Sequence, residues 1–328
     1  MEPNEKATRN KTIDIDVREG AHYLERCISV TGPVKLEAVL DQTILGDTFD
    51  VLKNLPAESV DLLIADPPYN LNKNYHGRSF HQMDAEAYRT FTDAWLQAVI
   101  PLLKKDASVY VCCDWRTGMI LGPMLEECLH VRNRITWQRE KGRSANANWK
   151  NAMEDIWFAT KSDTYVFHGE AVKQRRRVIA PYRENGLPKD WEETKDGKFR
   201  NTGASNFWDD ISIPYWSMKE NTAHPTQKPE KLLAKLILAS SDPGDVVLDP
   251  FLGSGSSSVT AKKLGRHYIG IEQNDQYCIW AEKRLEMAEH DSSIQGYADG
   301  VFWERNTASL QKEPRQTGQS QNNEIRGF

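Results

Sequence analysis

At 328 residues, with 39% hydrophobic and 27% charged side chains, the chain has the balance of a globular protein and the length of one large or two domains of about 100–200 residues each. Collagen-like, low-complexity and wholly disordered classes are excluded. No apolar run reaches the roughly 18–20 residues that cross a bilayer, so no membrane association is expected. Met1–Arg18 is charged throughout and lacks the apolar segment of a secretory leader, which makes the cytoplasm the expected compartment. The net charge of −5 hides an asymmetry: the stretch 132–235 holds 20 Lys+Arg against 14 Asp+Glu, together with six of the ten tryptophans. A basic, aromatic segment suits phosphate contacts and base stacking, or simply a solvated surface.

Along the chain, residues 1–35 carry no sustained period and read as an N-terminal extension. Thr43–Asp47 is predicted as a short strand, Thr48–Asn54 as a helix and Val60–Ala65 as a buried strand that stops at two prolines. Tyr88, Phe91, Trp95, Val99 and Leu102 share one stripe of a predicted helix over Ala85–Leu103, followed by a strand over Ala107–Cys113 and a helix over Met119–Leu129. Arg134–Gln138 and Asp155–Ala159 read as further strands. From Arg139 to Asn221 the pattern loosens into loops and small elements, as in an insertion. Regularity returns with a helix over Pro229–Ser240, then strand, helix, strand and helix over Asp245–Asp249, Ser256–Leu264, His267–Glu272 and Asp275–Ala288. Such alternation predicts an α/β fold with a mostly parallel sheet and helices on both faces. Beyond residue 305 the composition is that of a disordered tail.

Three motifs carry candidate chemistry. Asp249-Pro-Phe251-Leu-Gly253-Ser254-Gly255 lies between a buried strand and a helix, and Glu272 ends the next strand. Small residues let the backbone approach a ligand, and an acid at that distance can accept hydrogen bonds from ribose hydroxyls; NAD, S-adenosylmethionine (SAM) or a mere tight turn all satisfy the pattern. Asp66-Pro67-Pro68-Tyr69 also follows a buried strand. There the Asp66 carboxylate and the Pro67 carbonyl could accept from one NH₂ group while Tyr69 offers a flat stacking face; a rigid surface turn is the plain alternative. His224-Pro-Thr226-Gln-Lys228-Pro229 opens a Leu-rich helix, where an anion would meet unpaired backbone NH groups and an ammonium. The five cysteines are odd in number without a CxxC pair, and His81, His130, His168 and His267 have no acid or cysteine at ligand spacing, so neither disulfides nor a metal site is expected.

Together, DPPY at 66–69, HPTQKP at 224–229, DPFLGSG at 249–255 and Glu272 resemble the amino-group DNA methyltransferases that use SAM, in the permuted β-type order with the catalytic motif ahead of the cofactor motif. The resemblance spans roughly 45–285. It implies a Rossmann-like SAM-dependent methyltransferase sheet divided into a catalytic half (36–138), an inserted target-recognition region (139–221) and a SAM-binding half (222–304), flanked by the extension (1–35) and the tail (305–328). It further implies SAM as cofactor and methyl transfer to N6 of a flipped adenine in duplex DNA, with N4 of cytosine and a non-catalytic SAM-binding reader as alternatives. An acid at the first position of the tetrapeptide is the commoner form in adenine enzymes. By the same likeness Asp47 would contact the cofactor adenine, Glu272 its ribose, Phe251, Gly253 and Gly255 its methionine portion, and Thr226 and Lys228 its carboxylate. Arg143, Asn146, Asn148 and Lys150 would read base edges, and Arg175, Arg176 and Arg177 would grip phosphates. A homodimer and a cognate restriction endonuclease are partners compatible with the family.

Overall fold

The computed structural model describes residues 8–75, 78–139, 147–179, 181–305 and 307. Its centre is an eight-stranded sheet: β1 (Gln42–Leu45), β2 (Val60–Ala65), β3 (Leu103–Cys113), β4 (His130–Gln138), β5 (Met153–Thr160), β6 (Phe207–Trp208), β7 (Val246–Asp249) and β8 (His267–Glu272). Their spatial order is β1-β8-β7-β2-β3-β5-β4-β6, and every neighbouring pair is parallel except the two made by β5. The mostly parallel α/β sheet expected from the alternation is what forms.

Strand periodicity decides which face each side chain joins. Leu63 and Ala65 of β2 and Leu248 of β7 face a core with Val51 and Leu52 of helix α1 (Thr48–Leu52), Trp95, Leu96 and Val99 of α2 (Ala85–Val99) and Leu121, Met124 and Leu125 of α3 (Trp115–Cys128). Leu62, Ile64 and Val247 face the opposite core. They meet Leu232, Leu233, Leu236 and Ile237 of α4 (Glu230–Ser240), Val259 of α5 (Ser256–Lys263) and Leu285 of α6 (Asp275–His290). Burial on both faces explains why these strands read as continuous apolar runs.

Three predicted boundaries shift for local reasons. Helix α3 begins four residues before the expected Met119, because Asp114 caps it by accepting from Thr117 N at 2.9 Å. Its glycines serve packing: a Cβ on Gly122 would stand 2.5 Å from the Trp157 ring. Helix α2 stops at Val99, where Pro101 enters a short 3₁₀ turn, and β3 starts at Leu103, earlier than the apolar run suggests, with Lys104 paired to Asp61 at 2.7 Å.

The described part of the extension is tied down. Ile13 N donates to Asn221 O, Gln276 Nε2 and Trp280 Nε1 donate to Ile15 O, and Tyr23 is buried against Ile279 and Trp280 of α6. A second, five-stranded sheet stands apart, ordered Glu192–Thr194, Gly197–Thr202, Gln174–Arg177, Val301–Trp303, Tyr297–Ala298. Buried cations anchor its base: Lys235 pairs with Asp210 at 2.8 Å and lies over Trp208 and Phe302, and Lys231 donates to Asp210 O. The main sheet takes β5 and β6 from inside the stretch 139–221, whereas the small sheet takes strands from that stretch and from 297–303.

Candidate functional site

β7 and β2 are parallel neighbours, with Val247 beside Leu62, but their connections leave in opposite directions: β2 leads through α2 to β3, and β7 through α5 to β8. Such a divergence opens a crevice beyond the carboxyl ends of the two strands. The two motifs that follow these strands therefore face each other.

Beyond β2, Pro67 and Pro68 cannot extend the ladder, and the loop is clasped from outside. Tyr88 OH donates to Pro68 O at 3.0 Å, while Asn70 Nδ2 donates to Met83 O and Asn70 Oδ1 accepts from Met83 N at 2.9 and 2.7 Å. Asp66 and Tyr69 enter a compact polar network. Tyr69 OH donates to Asp66 Oδ1 at 2.8 Å, and Lys228 Nζ lies 2.6 Å from Asp66 Oδ2, 3.1 Å from Tyr69 OH and 3.4 Å from Glu154 Oε2. Arg139 pairs with the other oxygen of Glu154. Burial would strip Lys228 of its proton, yet the charges of Asp66 and Glu154 outweigh it and raise the ammonium above its ordinary range. Burial first, then the Asp66 and Glu154 charges, keep the Tyr69 phenol protonated.

Beyond β7 the chain turns on two glycines in the left-handed region, Gly253 (φ 56) and Gly255 (φ 81). A Cβ on Gly255 would sit 2.7 Å from Ala281 Cβ, so this residue lets the loop press onto α6. Asp249 holds the loop's start, with Oδ1 accepting from Phe251 N at 2.9 Å and Oδ2 from the Ser257 hydroxyl. Glu272 holds its crest: Oε2 accepts from Gly253 N at 2.8 Å and Oε1 from Gln273 N and Asn274 N, each at 2.9 Å. Burial pushes both carboxyls up to about 7, although their hydrogen bonds favour the ionised form.

Gln227 braces the third loop from behind, accepting from Thr222 N and Oγ1 and donating to Glu220 O. His224 meets Tyr277 of α6 edge-to-face at 4.3 Å. The three loops enclose one cavity of about 220 Å³, lined by Asp66, Pro67, Pro68, Tyr69, His224, Thr226, Lys228, Asp249, Phe251, Gly253, Ser254 and Glu272.

Other sequence candidates lie elsewhere. Asp47 is exposed and caps the short helix Thr48–Leu52 by accepting from Phe49 N; its neighbour Thr48 reaches the cavity wall. Gly255 shapes the loop without lining the cavity. Lys228, expected near a ligand carboxylate, is committed to Asp66 and Glu154. Arg143 and Asn146 lie outside the described residues, and Asn148 and Lys150 are exposed. Arg175 is held by Glu192 and lies over Phe199 and Trp303, Arg176 donates to Gln174 Oε1 and faces Asp209 at 3.4 Å, and Arg177 donates to Asp196 O. Among the described residues no group of three or more His, Cys, Asp or Glu could hold a metal ion.

Sequence reasoning missed Glu154, Arg139, Tyr277 and Cys112. Glu154 had a usable signal: it alternates with Ile156 and Phe158 on the buried face of β5, and an acid in such a row needs a buried partner.

Comparison with known proteins agrees with this geometry. The DNA methylase family (N6/N4 methyltransferases) matches residues 60–283. DNA adenine methyltransferase YhdJ of Escherichia coli (strain K12) is 36% identical over 261 residues, covering 76% of this chain and 84% of that protein. Type II methyltransferase M.HpaI of Haemophilus parainfluenzae is 31% identical over 262 residues, covering 79% of this chain and 77% of that protein. Among solved structures, the complex of M1.HpyAVI with SAM is 25% identical, with a TM-score of 0.52, and the match covers 74% of this chain and 98% of that one.

Proposed function

Because the chain belongs to the DNA methylase family, we propose that it transfers the methyl group of SAM to N6 of an adenine flipped out of duplex DNA. One observation carries the reading: Asp66 and Tyr69 beyond β2, and Gly253 and Glu272 beyond β7 and in β8, open onto the same cavity. The residues suit SAM. The left-handed Gly253 keeps the wall clear where a Cβ would stand 3.0 Å from His224 Nε2, and Glu272 still has lone pairs for ribose hydroxyls beyond its three backbone donors. When bound, SAM supplies a methyl group activated by its sulfonium.

Asp66 and the Pro67 carbonyl accept from the target NH₂ group, which turns its lone pair outward and surrounds the developing positive charge with negative potential. No base is needed first, because the neutral amine is far too weak an acid for a carboxylate, whereas the methylated nitrogen is cationic and releases its proton readily. Tyr69 stacks on the flipped base and offsets part of the few kcal/mol of unstacking. Phe251, Gly253 and Ser254 form the bed for the methionine portion, Gly255 presses that loop onto α6 from behind, Asp249 braces it, and Glu272 takes the ribose. Thr226 and His224 flank the carboxylate end, and the adenine end is assigned to the wall at Thr48, beside the helix cap Asp47. Residues 36–138 and 222–304 supply the two halves of the site.

The stretch 139–221 reads the target, with Arg143, Asn146, Asn148 and Lys150 on base edges and Arg176 and Arg177 toward phosphates, while Arg175 stays with Glu192 and its two rings inside the small sheet. The proposal places the protein in the cytoplasm; none of the helices among the described residues is long and apolar enough to cross a membrane. M.HpaI is named a type II methyltransferase, and on that likeness a cognate restriction endonuclease and a second copy of the chain belong to the proposal as partners. The test is mass spectrometry of nucleosides from DNA treated with the protein and SAM. N6-methyladenine is the expected product; N4-methylcytosine alone overturns the base assignment, and no methylated base overturns the reading.

A further inference from the structure

The acceptor assigned to the target amine is already engaged. Asp66 Oδ2 lies 2.6 Å from the Lys228 ammonium, and its other oxygen accepts from Tyr69 OH. A carboxylate so tightly paired is a weakened acceptor, and a fixed cation beside it opposes the positive charge that develops on the methylated nitrogen. A second carboxylate lies beside that ammonium: Glu154 Oε2 is 3.4 Å from Lys228 Nζ, nearly buried, and in reach of the same Tyr69 hydroxyl at 3.5 Å. The network contains Asp66, Glu154, Lys228 and Arg139, two acids against two bases, so moving the ammonium between the acids changes no net charge.

We propose that Glu154 is a positioning residue that draws Lys228 off Asp66 when the target amine arrives, so that Asp66 is released as an acceptor. This rests on the methyltransferase reading above. The incoming NH₂ group takes the place of the ammonium on Asp66, Lys228 shortens its contact with Glu154, and the cation retreats from the reacting nitrogen. Arg139 holds the other oxygen of Glu154 and keeps the receiving carboxylate in place. Glu154 touches neither substrate nor cofactor in this scheme; it acts through Lys228.

Rescue by a second substitution tests it in full-length protein. Glu154→Gln leaves the ammonium nothing charged to move to, so kcat should fall about tenfold, a coupling on the scale found for contacting groups, with the KM for DNA and the SAM affinity by calorimetry within about twofold of wild type. Adding Lys228→Met to Glu154→Gln should recover much of that kcat, because the clamp on Asp66 is then gone. Glu154→Asp, with its charge withdrawn by one methylene, should fall between wild type and Glu154→Gln and be rescued in the same way. A double variant no more active than Glu154→Gln overturns the proposal, as does Glu154→Gln turning over like wild type. Calorimetric SAM binding verifies that each variant is folded. Failure of the wild-type protein to methylate DNA would instead strike the underlying reading.

Discussion

The loops at the carboxyl ends of β2 and β7 and the small sheet around Gln174–Arg177 are both rich in charge, but they use it differently. At the crevice, Asp66, Glu154, Lys228 and Arg139 form one connected, largely buried network within which an ammonium has two partners. On the small sheet each arginine is settled on its own neighbours, Arg175 between Glu192 and two aromatic rings, Arg177 on a backbone carbonyl. The crevice is built so that a ligand can exchange with a charge already there, whereas the small sheet spends much of its positive charge on its own cohesion. A count of basic residues thus overstates the cations free to meet DNA.

The comparison breaks most visibly if Asp66 is removed. Asp66→Ala should lower methyl transfer by at least about 10²–10³-fold, the effect of losing one well-placed electrostatic partner, while calorimetric SAM binding changes little. Tyr69→Ala should lose more activity than Tyr69→Trp, which keeps a stacking face. Turnover of Asp66→Ala near the wild-type rate, read with tritiated SAM, would remove the amine-acceptor role from this loop.

Gly253→Val comes next, and it acts on binding. At φ 56 a β-branched residue is strained, and its side chain would point toward His224 at the cavity wall. SAM binding should fall below detection, while circular dichroism should still report the folded sheet because the change sits on a loop. Unchanged affinity would place the cofactor elsewhere.

A smaller effect follows from the two carboxyls that burial raises to about 7, Asp249 and Glu272. A raised acid holds its proton in the folded state after the unfolded chain has released it, so from about pH 4 to 7 these groups favour the folded protein less as pH rises. Ribose hydroxyls donate best to the ionised form, so SAM affinity should rise across pH 6 to 8 with release of up to about one proton. Calorimetry in buffers of different ionisation enthalpy measures that release. Binding without proton exchange in wild type, or the same exchange in Glu272→Gln, would separate Glu272 from the ribose.

What was legible in the sequence follows the same division. β2, β7 and β8 are readable as apolar runs because both of their faces are buried, and the three loop motifs because they occur together in one order, each alone being compatible with a plain turn. Glu154 escaped notice because its partner Lys228 lies 74 positions away and reaches it across the strand order, a contact that local periodicity does not encode. Asp47 caps a helix in the structure, a role that a lone Asp before Thr-Phe-Asp specifies as well as the ligand contact implied by the resemblance. The small sheet was unreadable as a unit, since one of its edges comes from 297–303, more than 90 residues beyond the rest.

The smallest expected effect sharpens the comparison within the arginine run. Arg176 is about one-third exposed, with its guanidinium shared between Gln174 Oε1 and a long 3.4 Å contact to Asp209, so a phosphate can replace a weak partner at little cost. Arg175 is about one-eighth exposed and cannot reach outward without abandoning Glu192 and its two rings. Arg176→Ala should therefore weaken binding to all DNA sequences alike and reduce the slope of log K against log salt by about 1, the signature of one lost phosphate contact. Arg175→Ala should leave that slope unchanged and lower the melting temperature instead, because what it removes is packing and an ion pair inside the small sheet. Titrations of fluorescent duplexes at several salt concentrations, paired with melting curves, distinguish the two. If Arg175→Ala alters the salt slope while Arg176→Ala does not, the exposed face of the small sheet is not the side that meets the phosphates.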